Sequence, residues 1–395
     1  MSRAALLHPA ARLSLFYGAI FLVAGIQLPF WPAWLAARGL TAREIGIVLG
    51  AAIWAKVFAT PAIGAIADRS GARRAVMVVL AAAALAAYAG LWPIGAFSVL
   101  VTLNLVALTA QSALMPLGDT LTLAACRNGD HDYGRIRVWG SVTFILASLT
   151  SGAVLAAAPG DQVLLLVFGA SFLVLLACLA VPNADGPATP AGRGAWMGTV
   201  ARDVKFWIFV LTASALQASH QLYYGFGTLH WRSLGLSDLT IGFLWAEGVL
   251  AEIVLFWQGR FLLARVGPLG LMTLGGAAGI LRWSLAALVT WLPGIVVLQL
   301  LHAFTFGASH LGAMHFLSRS VPLSAAASAQ SLYAAISSGF GAGLVMVIAG
   351  TLFGAYGGRA YLFMTLFSAA GLFGTAALHS GVSARWNRKR YRRVS

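Results

Sequence analysis

Residues 117–144 read LGDTLTLAACRNGDHDYGRIRVWGSVTF. Asp119 lies in an apolar run of helical length, and Arg137 lies in the run that returns after the polar turn around Gly129. A carboxylate or guanidinium in hydrocarbon is costly and persists only where it is paired, hydrated or put to use. The stretch therefore predicts two membrane-crossing helices that bring a buried acid face to face with a buried base. Arg135, nearer the turn, is read as a residue of the cytoplasmic end that serves topology.

The rest of the chain fits that reading. Of its 395 residues, 60% are hydrophobic and 9% charged, and the mean hydropathy is +0.85, far outside the range of soluble globular proteins. Apolar runs of about 20 residues, the length that crosses a bilayer as helix, recur around positions 25, 54, 84, 112, 146, 171, 217, 250, 279, 306, 338 and 370. The predicted fold class is all-α integral membrane, with twelve transmembrane helices.

Several functions are excluded by what the sequence lacks. Cys126 and Cys178 are far apart, so there is no disulfide framework, no metal-ligand spacing and no expected cofactor. No GxxxxGK[ST] phosphate loop supports ATP-driven transport, and no HExxH or GxSxG elbow supports an embedded enzyme. The net charge of +15 has no soluble basic domain to carry it to nucleic acid. Positive-inside topology accounts for it: with a cytoplasmic N-terminus, only Arg38, Arg43, Arg232 and Arg359 fall on the outer side. The basic start and long apolar run at the N-terminus predict an uncleaved first span. The expected location is the inner membrane, with both termini cytoplasmic.

Residues 1–183 and 204–383 each hold six runs, and the Pro- and Gly-rich stretch 184–203 reads as a cytoplasmic linker. Residues 384–395 form a basic tail suited to anionic lipids at the cytoplasmic face. Sliding the chain by 196 residues lays Gly39, Gly46, Arg69 and Gly71 on Gly235, Gly242, Arg265 and Gly267. Such a repeat is the signature of two pseudo-symmetric six-helix bundles with a midplane site between them.

Residues 64–74, GAIADRSGARR, carry Gly64, Asp68, Arg69, Gly71, Arg73 and Arg74 between the second and third runs. This resembles the GxxxDRxGxRR loop signature of the major facilitator superfamily, in which the loop serves conformational gating; topology alone is the alternative role. Within the superfamily the chain is similar to the phenylpropionate and lactose permease branches of proton symporters. The likeness runs through LPFWPAWL (28–35), DYGRIRVWGSV (132–142), YYGF (223–226) and LQLLHAFTFGASHLGAMHF (298–316). The resemblance implies that Asp119 and Arg137 bind substrate, that Glu252 is a substrate carboxylate, and that Arg282 and His302 belong to proton coupling. Phe144 stands where the lactose branch stacks an aromatic on sugar, and Thr305 stands where that branch carries its proton on an acid.

The residues themselves add detail. The 196-residue shift places Lys56 on Glu252, so pseudo-symmetry would set opposite charges across a cavity, for substrate, proton or ion-pair contact. Glu247 is rotated about 140° from Glu252 on a helix and is a second proton candidate. Gln217, His220, Gln221 and Tyr224 make one polar stripe on the seventh helix, and Gln299, His302, Phe306 and His310 another on the tenth. Interhelical hydrogen bonding is the alternative reading of both stripes. Trp31 and Trp34 read as membrane-interface anchors.

The candidate substrate residues are Asp119, Arg137, Glu252, Lys56, Phe144, Tyr224, His220 and Gln217. His302, Glu252, Arg282 and Glu247 are the candidates for proton coupling. The expected activity is proton-coupled import of a small organic solute by a monomer, with an aromatic carboxylate first and a sugar or nucleoside second. A drug/proton antiporter and a transport-inactive sensor complete the alternatives.

Overall fold

The computed structural model describes residues 8–92, 96–128, 132–158, 161–182, 202–321 and 323–391, apart from the side chains of 127–128, 323–328 and 381–391. Of the expected linker only Arg202 and Asp203 fall among them; Arg3, Arg193 and the side chains of the basic tail lie outside the described residues. Every regular element among the described residues is helical.

In chain order the helices are α1 (Pro9–Ala37), α2 (Ala42–Ser70), α3 (Arg73–Gly90), α4 (Phe97–Asn128), α5 (Tyr133–Ala157), α6 (Gln162–Ala180), α7 (Val204–Ala218) and α8 (Gln221–Ser233). They continue as α9 (Asp238–Trp257), α10 (Gly259–Ala286), α11 (Leu292–Leu300), α12 (Ser309–Ser320), α13 (Leu323–Ala334), α14 (Ala342–Tyr356) and α15 (Tyr361–Tyr391). π-helical turns at Ala303–Ala308 and Ala335–Gly341 join α11 to α12 and α13 to α14.

Among the described residues, ten helical runs are long and apolar enough to cross a membrane. The expected number was twelve, and two places account for the difference. One run, Ala329–Ser380, is 52 residues long and is broken by a tight turn at Gly357, where φ is 55°. The seventh expected span is split into α7 and α8, of 15 and 13 residues. Ser219 Oγ donates to the Leu216 carbonyl at 2.7 Å and His220 Nδ1 reaches the same oxygen at 3.1 Å. Side chains that compete for a backbone acceptor bend or break the helix.

The chain forms two compact units, Met1–Pro190 with Gly225–Ala246, and Ala191–Tyr224 with Glu247–Ser395. In the first, Gly25 of α1 lies so close to α5 that a Cβ there would meet the Phe144 carbonyl at 2.6 Å, and Ser148 Oγ donates to the Gly25 carbonyl at 3.0 Å. Trp31 and Trp34 are each 2% exposed, stacked at 4.5 Å, and bonded to Asn104 and Asp161. They are core residues rather than the interface anchors expected. In the second unit Phe209 stacks on Phe316 at 4.9 Å, and Gly275, Gly276 and Gly279 let α10 approach Ser309, Leu372 and Ser368. Large apolar side chains such as Phe58, Trp257 and Phe373 point outward, as hydrocarbon surroundings favour.

The repeat is visible in the backbone. Gly39 and Gly235 have φ of 88° and 81°, and Gly71 and Gly267 have φ of 64° and 69°. Gly267 is the non-helical residue at a kink within α10, with ψ of 174°, so positive-φ glycines punctuate the helices at both matched pairs.

Candidate functional site

In the first unit Asp119, on α4, accepts hydrogen bonds from the phenols of Tyr17 on α1 and Tyr133 at the start of α5, the latter at 3.0 Å. Two donors satisfy a carboxylate that hydrocarbon would not. Arg137 forms no ion pair with Asp119 within 4.0 Å; its guanidinium lies 4.2 Å from the Phe21 ring centre and 5.4 Å from that of Tyr17. The acid and base share Tyr17 instead of meeting directly, with the cation held on aromatic faces. Lys56 is half-buried on α2 and joins no ion pair among the described residues. Phe144 is buried and packs its backbone on Gly25.

The loop signature is organised around two contacts. Arg73 donates to Asp68 at 2.8 Å, closing the turn that left-handed Gly71 makes. Arg74 and Arg12 donate to the Leu179 and Ala180 carbonyls at the end of α6, where unpaired carbonyls and the helix dipole favour cations. Arg69 is exposed and Gly64 has open space around it.

The second unit gathers most of its expected residues around Arg282, which is 1% exposed on α10. Arg282 donates to His302 Nδ1 at 3.0 Å, to Thr305 Oγ1 at 2.9 Å and to Gln299 Oε1 at 2.9 Å. Its guanidinium also lies over Tyr223 and Trp283, at 4.8 and 4.5 Å. Gln299 in turn donates to the Tyr223 phenol at 2.9 Å, and His220 Nε2 lies 3.1 Å from Thr305 Oγ1. His302 Nε2 faces Glu252 at 4.0 Å. Among the described residues no carboxylate pairs with Arg282, so its charge is compensated only by neutral acceptors and ring faces.

The remaining residues fall at the edge of this cluster. Tyr224 stacks on His220 at 5.8 Å, and the His302, Phe306 and His310 rings form a column with spacings of 5.4 and 5.8 Å along the π-helical turn. Glu247 has a buried Oε2 with no hydrogen-bond partner. The side chain of Gln217 takes no part in the network, because the break at Ser219–His220 interrupts the stripe to which it was assigned. Tyr17 and Tyr133 were not among the expected site residues, while Gln299 was named only within the polar stripe of the tenth helix and Tyr223 only within the YYGF motif. The signal available for them was general: a buried carboxylate or guanidinium needs donors or acceptors, and each is polar within an apolar helix.

Polar clusters buried inside an all-helical chain of membrane-spanning helices define a multi-pass membrane transporter. Residues 10–365 match the model of the MFS_1 like family, and the chain belongs to that family. It is 30% identical over 370 residues to the "Probable 3-phenylpropionic acid transporter" of Escherichia coli (strain K12), covering 91% of this chain and 96% of the relative. It is 26% identical to the maltose permease of Geobacillus stearothermophilus, covering 91% of each. The nucleoside transporter NupG shares its fold with a TM-score of 0.83 at 18% identity, over 94% of this chain and 99% of that one. These relatives are transporters, not enzymes.

Proposed function

We propose that this protein is a proton-coupled symporter that imports a small aromatic carboxylate of the 3-phenylpropionate kind. The observation that carries this reading is Arg282, a buried guanidinium held by His302, Thr305 and Gln299 with no carboxylate paired to it among the described residues. A substrate carboxylate would supply the missing anion through paired N–H donors, and the rings of Tyr223, Tyr224 and Trp283 suit an aromatic tail. Similarity to the phenylpropionic acid transporter supports the same substrate class. The co-transported proton is held within this cluster, whose titratable groups include Glu247, Glu252, His302 and His220. Asp119 and Arg137 are the substrate-contacting residues of the first unit, and the loop 64–74 serves gating.

A sugar or nucleoside is the second reading. Asp119 already accepts two hydroxyl donors, the geometry a sugar hydroxyl would use, and the maltose permease is among the relatives. The transporter works as a monomer in the inner membrane, with both termini cytoplasmic and anionic lipids at that face. Proteoliposome uptake of labelled 3-phenylpropionate, maltose and a nucleoside, with and without a protonophore, tests the proposal. Uncoupler-sensitive uptake of the carboxylate alone is expected; uptake indifferent to the proton gradient contradicts it.

A further inference from the structure

Within the Arg282 cluster the hydrogen positions follow from chemistry. A guanidinium only donates, so His302 Nδ1 and Thr305 Oγ1, at 3.0 and 2.9 Å, are acceptors. A carbonyl only accepts, so His220 Nδ1 carries the hydrogen it directs at Leu216, 3.1 Å away. The other nitrogen of the neutral ring, Nε2, is then the acceptor of the Thr305 hydroxyl across 3.1 Å. A directed chain results, from Arg282 through Thr305 and His220 to the Leu216 carbonyl. Both nitrogens of His220 are engaged by protein, and the residue is 1% exposed. That leaves it no free atom with which to bind substrate.

The two imidazoles differ in what a proton would do to them. A charged His220 keeps its bond to Leu216 and donates through Nε2 to Thr305 Oγ1, whose own hydrogen turns toward the His302 carbonyl, 3.5 Å away. A charged His302, once Arg282 NH1 has turned away, would carry an Nδ1 hydrogen with no acceptor among the described residues, whereas both N–H groups of a charged His220 have one. His220 packs directly on Tyr224 of α8 and on His302 after α11; one contact further out lie Arg282 on α10, Glu252 on α9 and Tyr223 on α8, each against His302, and Tyr361 on α15 against Trp283, whose ring also meets His220. Arg282 is the fixed cation among them, so its displacement relieves repulsion at His220 in a low-dielectric interior.

We propose that His220 takes up the co-transported proton and that Thr305 is the hydroxyl switch linking that proton to Arg282. The proposal rests on Arg282 as the anchor for the substrate carboxylate. When Arg282 turns NH1 to the carboxylate, Thr305 and His302 Nδ1 each lose a donor, and the carboxylate neutralises the cation beside His220. His220 Nε2 then binds a proton delivered by water, and the Thr305 hydroxyl reverses. Release of the carboxylate returns NH1 to Thr305, the hydroxyl turns back, and the proton leaves to water. Uptake forms one N–H bond as an O–H bond of hydronium breaks, and release to water reverses both.

Histidine NMR on the full-length, substrate-free protein provides a test that needs no substrate, with the His220 signal assigned by its loss in His220→Gln. The signal should titrate at a higher pH in Arg282→Gln than in wild type, and likewise in wild type saturated with 3-phenylpropionate. In proteoliposomes, a one-unit inward proton gradient should drive about tenfold accumulation of labelled 3-phenylpropionate. His220→Gln and Thr305→Val should bring that ratio to about 1, and Thr305→Ser should restore most of it. A His220 signal that titrates no higher in Arg282→Gln than in wild type overturns the proposal, as does full accumulation by His220→Gln alongside loss in His302→Gln. A wild-type protein that accumulates no aromatic carboxylate refutes the substrate reading instead, and the Arg282→Gln titration then still decides the role of His220.

Discussion

Replacing Gly242 by alanine isolates one packing contact of the first unit. There α9 crosses α5 with Gly242 against the Ser148 carbonyl, and a Cβ at 242 would lie 2.2 Å from that oxygen. Contacts below 3.0 Å are essentially never made, so the two backbones must part by at least 0.8 Å. A carbonyl in a helix cannot rotate aside as a side chain could. Overpacking of this kind costs about 1–3 kcal/mol, while exchanging glycine for alanine within a helix returns about 1 kcal/mol of propensity. The net is a destabilisation of up to about 2 kcal/mol. A Cβ at Gly169 in α6 would have nothing within 4 Å, so Gly169→Ala should show the propensity gain alone. Thermal unfolding in one detergent, followed by tryptophan fluorescence, should place Gly242→Ala below wild type and Gly169→Ala at or above it. Equal or raised melting of Gly242→Ala would refute the reasoning from close approach. The facing Gly152, whose Cβ would meet the Asp238 carbonyl at 2.5 Å, should give a similar loss. The double variant should lose less than the sum, since the helices separate once.

Three further outcomes follow from other contacts. Tyr17→Phe and Tyr133→Phe each remove one donor from Asp119 and should each cost about 1.5–3 kcal/mol of stability, read from denaturation, with the buried Tyr17 the more severe. Arg282→Lys keeps a charge but cannot reach His302, Thr305 and Gln299 in one plane, so uptake should fall by at least about tenfold, chiefly through a higher KM for the carboxylate. Asp68→Asn breaks a half-exposed ion pair and should change stability by less than about 1 kcal/mol. A large fall in its transport rate, measured beside an unchanged melting temperature, would assign the loop to gating.

The fold was legible because membrane crossing imposes a length and an apolarity that survive without any knowledge of packing. The paired glycines 39/235 and 71/267 were legible for a related reason, since only a backbone demand explains glycine at both matched positions of a repeat. What escaped was decided by side-chain geometry. The break at Ser219–His220 comes from two side chains claiming one carbonyl, which hydrophobic periodicity does not register. Asp119 and Arg137 were both recognised, but each found tyrosine or phenylalanine rather than the other, because an aromatic face satisfies a cation about as well as a distant acid. Trp31 and Trp34 were placed at the interface on residue type, yet both rings are buried, with the Trp31 indole N–H on buried Asn104 and that of Trp34 on the exposed Asp161. Thr305 drew notice only as a missing acid; its place between Arg282 and His220 is a matter of atoms, not of spacing.

The most direct measurement is counting protons against substrate in proteoliposomes, with a pH indicator inside and labelled 3-phenylpropionate outside. The account predicts that internal acidification accompanies carboxylate entry beyond what the free acid carries by itself, and that both are lost in Arg282→Gln. Carboxylate entry without proton movement, or undiminished entry in Arg282→Gln, would contradict it.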